Sequence, residues 1–393
     1  MHTRNDKYIK CTHIDIFGEI MMLETYKEIL DEAKSAKLET LTAWYSLFRM
    51  KEDPFLSQIP EEEIDYFVDR EDIVNAIIYD LGVASRGIPV TVLIVGPNGF
   101  GKTATLQYIV NILKRLKQEY PKEYAFNGEL LSTDYLFQEP ASEDEKAVEE
   151  VQLCVKKCKE KKDFLFVDDV RVEHAKTIMR EFVNTELKVF AISAFDYEEV
   201  YSTIPIAPKS HFLQPLDFEN VMQMLDKRVK CGIADKSHKV SILDLFEEKA
   251  LKTIHQYSFG VPSLILKCAS KSLNILLNLY HRNITSATAS KQKVTQDIAI
   301  KACKITKCLQ AYTEFENLSR IKREVLQQVL KDPKSPTEVS SILQKDRTTI
   351  SRHLSDLREL GLVDFEPRGR ESMYVATEAV KIKFEMELIP KGA

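Results

Sequence analysis

The sequence predicts an α/β fold in which a parallel sheet surrounds a phosphate-binding P-loop, followed by an α-helical lid and a C-terminal winged helix-turn-helix. Three observations carry this. Gly96-Pro97-Asn98-Gly99-Phe100-Gly101-Lys102-Thr103 fits G-x-x-x-x-G-K-[ST] between an apolar run and a helical one. A second apolar run, Phe164-Leu165-Phe166-Val167, ends in two carboxylates, Asp168 and Asp169. Residues 319–388 then bring a capping box, short amphipathic helices and a hairpin pattern in succession.

The first element is Val90–Val95, whose β-branched residues read as a buried strand, and the helix expected after the loop is Ala104 to Leu116. Strand, glycine loop and helix start form an anion site, because glycines let backbone N–H groups turn inward and the helix N-terminus adds positive potential. All eight loop residues are therefore candidates for holding ATP or ADP. Lys102 is placed to reach the β- and γ-phosphates, and the Thr103 hydroxyl to ligate Mg²⁺. A glycine-rich turn that binds nothing is the weaker alternative in this context.

Leu130 to Phe137 is expected as a second strand, and Glu139 to Lys162 as a charged helix with Val148, Val151, Val155 and Cys158 on its apolar face. Phe164–Asp169 has the form of a Walker B strand. Asp168 would hold Mg²⁺ with Thr103, and Asp169 would orient or deprotonate the attacking water. Leu187–Ser193 is a further strand, and the Ser193 hydroxyl could meet γ-phosphate or water; a serine that merely ends a strand is nearly as good a reading. Leu213-Gln214-Pro215-Leu216 precedes a helix over Asp217 to Lys230. Alternating strands and helices imply a parallel sheet covered on both faces. From Asp244 to Leu277, and on to about Ala311, the pattern is helical, with Gly260 suited to a C-cap and Pro262 to the next first turn.

At the C-terminal end, a helix is expected over Arg320 to Leu330. Ser335-Pro336-Thr337-Glu338 reads as a capping box, and Asp346 caps a helix over Arg347 to Leu360 that Gly361 ends. Leu362–Phe365 and Ser372–Val375 form a hairpin around Pro367-Arg368-Gly369-Arg370. Arg347, Thr348, Thr349, Ser351 and Arg352 are candidates for the major groove of double-stranded DNA, and Arg368 and Arg370 for phosphate or the minor groove. A winged helix used for protein contacts is the alternative.

Composition narrows the class. The 393 residues exceed one ordinary core, and 44% hydrophobic with 29% charged residues is usual for a globular chain. A net charge of −5 excludes a uniformly basic nucleic-acid coat but leaves room for a local basic patch. No apolar run reaches the roughly 18 residues of a membrane span, and the N-terminus lacks a signal-peptide core, so a cytoplasmic, nucleoid-associated protein without a membrane partner is expected. Seven scattered cysteines suit reduced thiols. Cys154 and Cys158 lack the further ligands that zinc would need.

With these residues in place, the chain resembles AAA+ ATPases over about residues 54–390, and more narrowly the archaeal initiator group related to origin-recognition-complex and cell-division-cycle proteins. Phe67-Val68-Asp69-Arg70-Glu71 is similar to the F-x-x-R-E segment that opens that family's core. Ser193 falls at its sensor 1 position. Leu216 and the helix ending in Arg228 resemble the entry to the lid, and Gly260-Val261-Pro262-Ser263 sits where the family has G-x-P-R. Ser263 thus replaces the sensor 2 arginine, and Lys267, one turn later on the same face, is the candidate substitute toward nucleotide. Asp169 stands in place of the usual glutamate.

The resemblance implies a slow ATPase or ATP/ADP switch coupled to DNA binding, with replication initiation as the family's role. A nucleotide-gated transcriptional regulator, a mobile-element or plasmid ATPase, and an ATP-binding scaffold are the rival readings. The expected domains are an N-terminal helical segment over 1–53, an ATPase core over 54–230, a helical lid over 231–315 and the winged helix over 316–393. The N-terminal segment is a candidate for partner binding or homo-oligomerisation.

Overall fold

The computed structural model describes residues 50, 53–55, 68–123, 128–132, 153, 156, 164–170, 172–181, 187–233, 239–282, 293–368 and 371–389. They fall into two compact units. The first comprises Met1–Asp53 and Gly232–His238, where Met50 forms an antiparallel bridge with Ile233. The helices expected before Met50 lie outside the described residues, as does most of the charged helix expected over 139–162, of which Leu153 and Lys156 are helical.

The second unit, Pro54–Cys231 with Lys239–Ala393, carries everything else. Its first part runs α1 (Glu71–Ala84), β1 (Val90–Val95), α2 (Lys102–Glu119), β2 (Gly128–Ser132), β3 (Phe164–Asp168), α3 (Val172–Glu181), β4 (Leu187–Ile192), α4 (Tyr197–Thr203) and β5 (Lys209–Phe212). The five strands form one sheet in the order β2-β3-β4-β1-β5, and every neighbouring pair is parallel. All residues of β3 and β4 are buried, which is why they read as unbroken apolar runs rather than alternating ones. Leu93, Val95, Leu165, Val167, Phe190 and Ile192 from the strands pack with Ala175 and Ile178 of α3 and Val200 of α4.

β1 lies inside the sheet, between β4 and β5, and its carboxyl end feeds the P-loop. The carboxyl ends of β3 and β4 deliver Asp168 and Ser193 to the same edge, where parallel α/β sheets hold their ligands. Three boundaries differ from expectation. α2 begins at Lys102, two residues early; the second strand starts at Gly128; and β5, with the polar sequence Lys209-Ser210-His211-Phe212, was not anticipated.

A helical part follows: α5 (Phe218–Gly232), α6 (Ile242–Leu245), α7 (Glu248–Tyr257), α8 (Pro262–Arg282), α9 (Gln296–Ile305) and α10 (Cys308–Glu314). The turn between α7 and α8 needs glycine. Gly260 has φ +72°, and a Cβ there would lie 2.4 Å from Leu216 O. Leu216 N donates to Gly260 O at 2.9 Å, which fastens this turn to the segment before α5.

The chain ends in α11 (Arg320–Gln328), α12 (Pro336–Leu343), α13 (Arg347–Glu359), an antiparallel hairpin of β6 (Val363–Arg368) and β7 (Glu371–Ala376), and α14 (Glu378–Leu388). The capping box is present: Glu338 N donates to Ser335 Oγ and Ser335 N to Glu338 Oε2. Asp346 caps α13 by accepting from Thr348 N at 2.8 Å and Thr349 N at 3.1 Å. Val325, Leu326, Val339, Ile350, Leu354 and Leu357 are buried. This is a winged helix-turn-helix, and α11 is shorter than the expected run to Leu330. Among the described residues no helix is long and apolar enough to cross a membrane.

Candidate nucleotide site and DNA-binding face

The candidate P-loop, Gly96 to Thr103, runs between β1 and α2 with two left-handed glycines. Gly99 and Gly101 adopt φ +81° and +90°, the left-handed region open to glycine, and Gly101 stands at the N-cap of α2. Lys102 is buried, and its Nζ donates to Gly96 O at 2.8 Å and Pro97 O at 3.1 Å. Burial lowers its pKa, opposed by the nearby carboxylates of Glu385, Asp168, Asp169 and Asp196. The ammonium therefore lies against its own loop, ringed by acids.

Thr103 Oγ1 donates to Asp168 Oδ2 at 2.5 Å. The two Mg²⁺ candidates, one from the start of α2 and one from the end of β3, are thereby side by side, and a hydroxyl beside a carboxylate is a donor set that fits a small hard cation. Burial raises the Asp168 carboxyl, while the Thr103 hydrogen bond and Lys102 lower it. Asp169 follows in a left-handed conformation, φ 52°, and its N–H donates to Asp168 Oδ1 at 3.1 Å.

Ser193, just beyond β4, is buried. Its Oγ accepts from Phe195 N at 3.1 Å and lies 3.2 Å from Asp196 Oδ2, so the hydroxyl organises its own turn. Ser263 N donates to Gly99 O at 3.2 Å, and its buried Oγ has no hydrogen-bond partner. Ser263 thus touches the glycine loop directly. Lys267 pairs with Glu378 of α14. Arg70, also buried, donates from Nη2 to Gln214 O at 2.7 Å, tying the start of α1 to the segment after β5.

One residue at this site escaped the sequence reading. Glu385 of α14 is 1% exposed; burial raises its carboxyl to about 7, opposed by nearby Lys102 and by the backbone amides of Ala194 and Asn98. It brings the C-terminal helix onto the P-loop. The only available signal was an acid on the otherwise apolar buried face of Ala379, Val380 and Ile382.

On α13, Arg347, Thr348, Thr349 and Arg352 are exposed and Ser351 is partly so, while Ile350, Leu354 and Leu357 turn inward. These polar residues therefore share an open face. Arg368 lies in β6, but its side chain is outside the described residues, as is Arg370. At the base of the wing, the Arg358 guanidinium lies 4.9 Å from the Phe365 ring centroid.

Residues 319–364 match the family model described as "Bacterial regulatory protein, arsR family". The chain is similar to Orc1 and ORC over most of its length. Against the structure of the Aeropyrum pernix Orc1 protein in complex with DNA, identity is 13%, coverage 85% of this chain and 95% of that chain, and the TM-score 0.46. Against Drosophila ORC bound to DNA, identity is 15%, coverage 86% and 90%, and the TM-score 0.41. Reduced HlyU from Vibrio cholerae is similar at 22% identity over 24% of this chain and 93% of that chain, with a TM-score of 0.18. No curated protein sequence matches the chain.

Proposed function

We propose that this chain is an ATP-dependent, DNA-binding protein of the initiator-like AAA+ type, in which nucleotide state controls engagement of DNA by the winged helix. The observation that carries the reading is the Thr103–Asp168 contact at the mouth of a glycine-shaped P-loop, in the same compact unit as a winged helix with an open polar face. The Orc1 and ORC structures that resemble the chain are of proteins in complex with DNA.

The loop from Gly96 to Thr103 and Lys102 Nζ would bind the phosphates, and Thr103 and Asp168 would hold Mg²⁺. Bound Mg-ATP supplies an electrophilic γ-phosphoryl group. Asp169 orients and deprotonates the attacking water, and Ser193 fixes the turn beside it. Asp169 is a methylene shorter than the glutamate of the resembled family, so its turnover is slow. Lys267, released from Glu378, is the cation available for sensing phosphate.

On DNA, Arg347, Thr348, Thr349, Ser351 and Arg352 enter the major groove, and Arg368 and Arg370 grip the backbone or minor groove. The core, lid and winged-helix boundaries at 54–230, 231–315 and 316–393 follow this division of labour. The segment over 1–53 is assigned to a protein partner or to self-association, and the protein to the nucleoid.

A second reading has specific support. The arsR-family match over 319–364 favours a nucleotide-gated transcriptional regulator. Genome-wide mapping of bound DNA separates the two, with peaks at origins for an initiator and at promoters for a regulator. The P-loop assignment has its own test. Lys102→Ala should abolish ATP binding measured by calorimetry, and an unchanged affinity refutes it.

A further inference from the structure

We propose that the Glu385 carboxylate sits in the phosphate seat of the P-loop, so that nucleotide phosphate and docking of α14 are mutually exclusive and nucleotide binding frees the winged helix. This rests on the P-loop reading above and adds its regulation.

A carboxylate imitates a phosphate oxygen in charge and in hydrogen-bond capacity. Two backbone amides lie near enough to lower the pKa of Glu385: that of Asn98, one of the loop amides that the motif turns toward phosphate, and that of Ala194 beside Ser193. The positive charge of Lys102 favours its ionised form, and Asp196 opposes it. The side chain is 1% exposed, and its Oε2 has no hydrogen-bond partner, so the carboxyl group is held at the loop with part of its hydrogen-bonding capacity unused. A phosphate brought to the same amides and the same lysine would contend with the carboxyl group for them in a site that has no room for both.

The remaining contacts of the winged helix converge on the same place. The ring of Phe384 stacks on Phe195 with centroids 6.3 Å apart. Lys331 Nζ lies 3.3 Å from Asp196 Oδ1 and 5.7 Å from the Phe195 ring centroid. Lys383 lies 5.3 Å from the ring centroid of Phe259, in the turn before α8. Glu378, at the other end of α14, occupies Lys267. The helix thus covers the P-loop, the turn after β4 and the candidate phosphate-sensing lysine together, and a phosphate that displaces Glu385 loosens all of them. By linkage, whatever holds α14 down weakens nucleotide binding by the same factor.

The experiment uses the full chain, mant-ATP with Mg²⁺ as probe, and hydrogen exchange across residues 378–388. Glu385→Ala is compared with wild type, and Lys331→Ala serves as a second variant that loosens docking from an exposed position. Both should bind mant-ATP more tightly, Glu385→Ala by about tenfold, the gain expected if the undocked state of wild type is populated about one part in ten. In wild type, saturating Mg-ATP should strip α14 of its exchange protection. Both results are required. Wild-type affinity in both variants overturns the inference, and so does protection of α14 that survives saturation, while either leaves the P-loop reading standing. Absence of binding in wild type and both variants instead removes the P-loop reading, and the inference falls with it.

Discussion

Gly99 and Ser263 are in direct contact: Ser263 N donates to Gly99 O at 3.2 Å, and a Cβ on Gly99 would fall 1.9 Å from Ser263 Oγ. The P-loop and the first turn of α8 therefore meet without room for a side chain. Gly101, at φ +90°, has open space where its Cβ would go. Alanine at Gly101 should cost only the left-handed backbone penalty of about 1–2 kcal/mol. Alanine at Gly99 should add a packing penalty of about 1–3 kcal/mol. Thermal melts should rank wild type above Gly101→Ala above Gly99→Ala, and equal melting of the two variants would contradict the contact.

Asp169→Asn should keep the fold and ATP affinity but lose turnover. Asparagine tolerates the left-handed conformation that Asp169 adopts at φ 52°, so the substitution removes the charge without straining the backbone. Phosphate release measured beside nucleotide titration checks this, and full turnover would take Asp169 out of the mechanism.

Arg347→Ala combined with Arg352→Ala should weaken duplex binding and reduce the log–log salt slope by up to about two, as each phosphate contact contributes about 0.9. Both residues are exposed, so melting should hardly change. Gel shifts across a salt series provide the measurement. Unaltered affinity would move DNA recognition off this face.

Docking of α14 should weaken as pH rises through the neutral range. Burial pushes the Glu385 carboxyl up to about 7 from its ordinary 4.5, against the pull of Lys102 and of the Ala194 and Asn98 amides and with a small push from Asp196. Below pH 4.5 the group is protonated whether docked or free, and docking is at full strength. Between 4.5 and about 7 the free carboxyl has lost its proton while the docked one keeps it, so docking falls with pH, and above about 7 the loss is complete. Lys331 and Asp196 also pair across this contact. Protection factors for α14 between pH 5 and 8 should follow this course without nucleotide and be flat in Glu385→Gln.

Much of the fold was legible because its strands are buried on both faces. β1, β3 and β4 announce themselves as continuous apolar runs, and Ser335, Glu338 and Asp346 mark helix starts through their own side chains. β5 was not legible, because a polar edge strand bonded only to β1 lacks any apolar period. For the site, local spacing singles out the glycine loop and the acids Asp168 and Asp169 as candidates. It could not reveal Glu385 or the Lys267–Glu378 pair, whose partners lie 111 residues apart, because those meetings are created by tertiary packing and leave no local pattern.

The position of β1 limits where motion can go. Six register partners on β4 and four on β5 fasten, on both sides, the strand that leads into the glycine loop. Under the proposed function, any travel would be taken up by the helices that rest on the sheet's edge, with the sheet as the fixed frame against which it is measured.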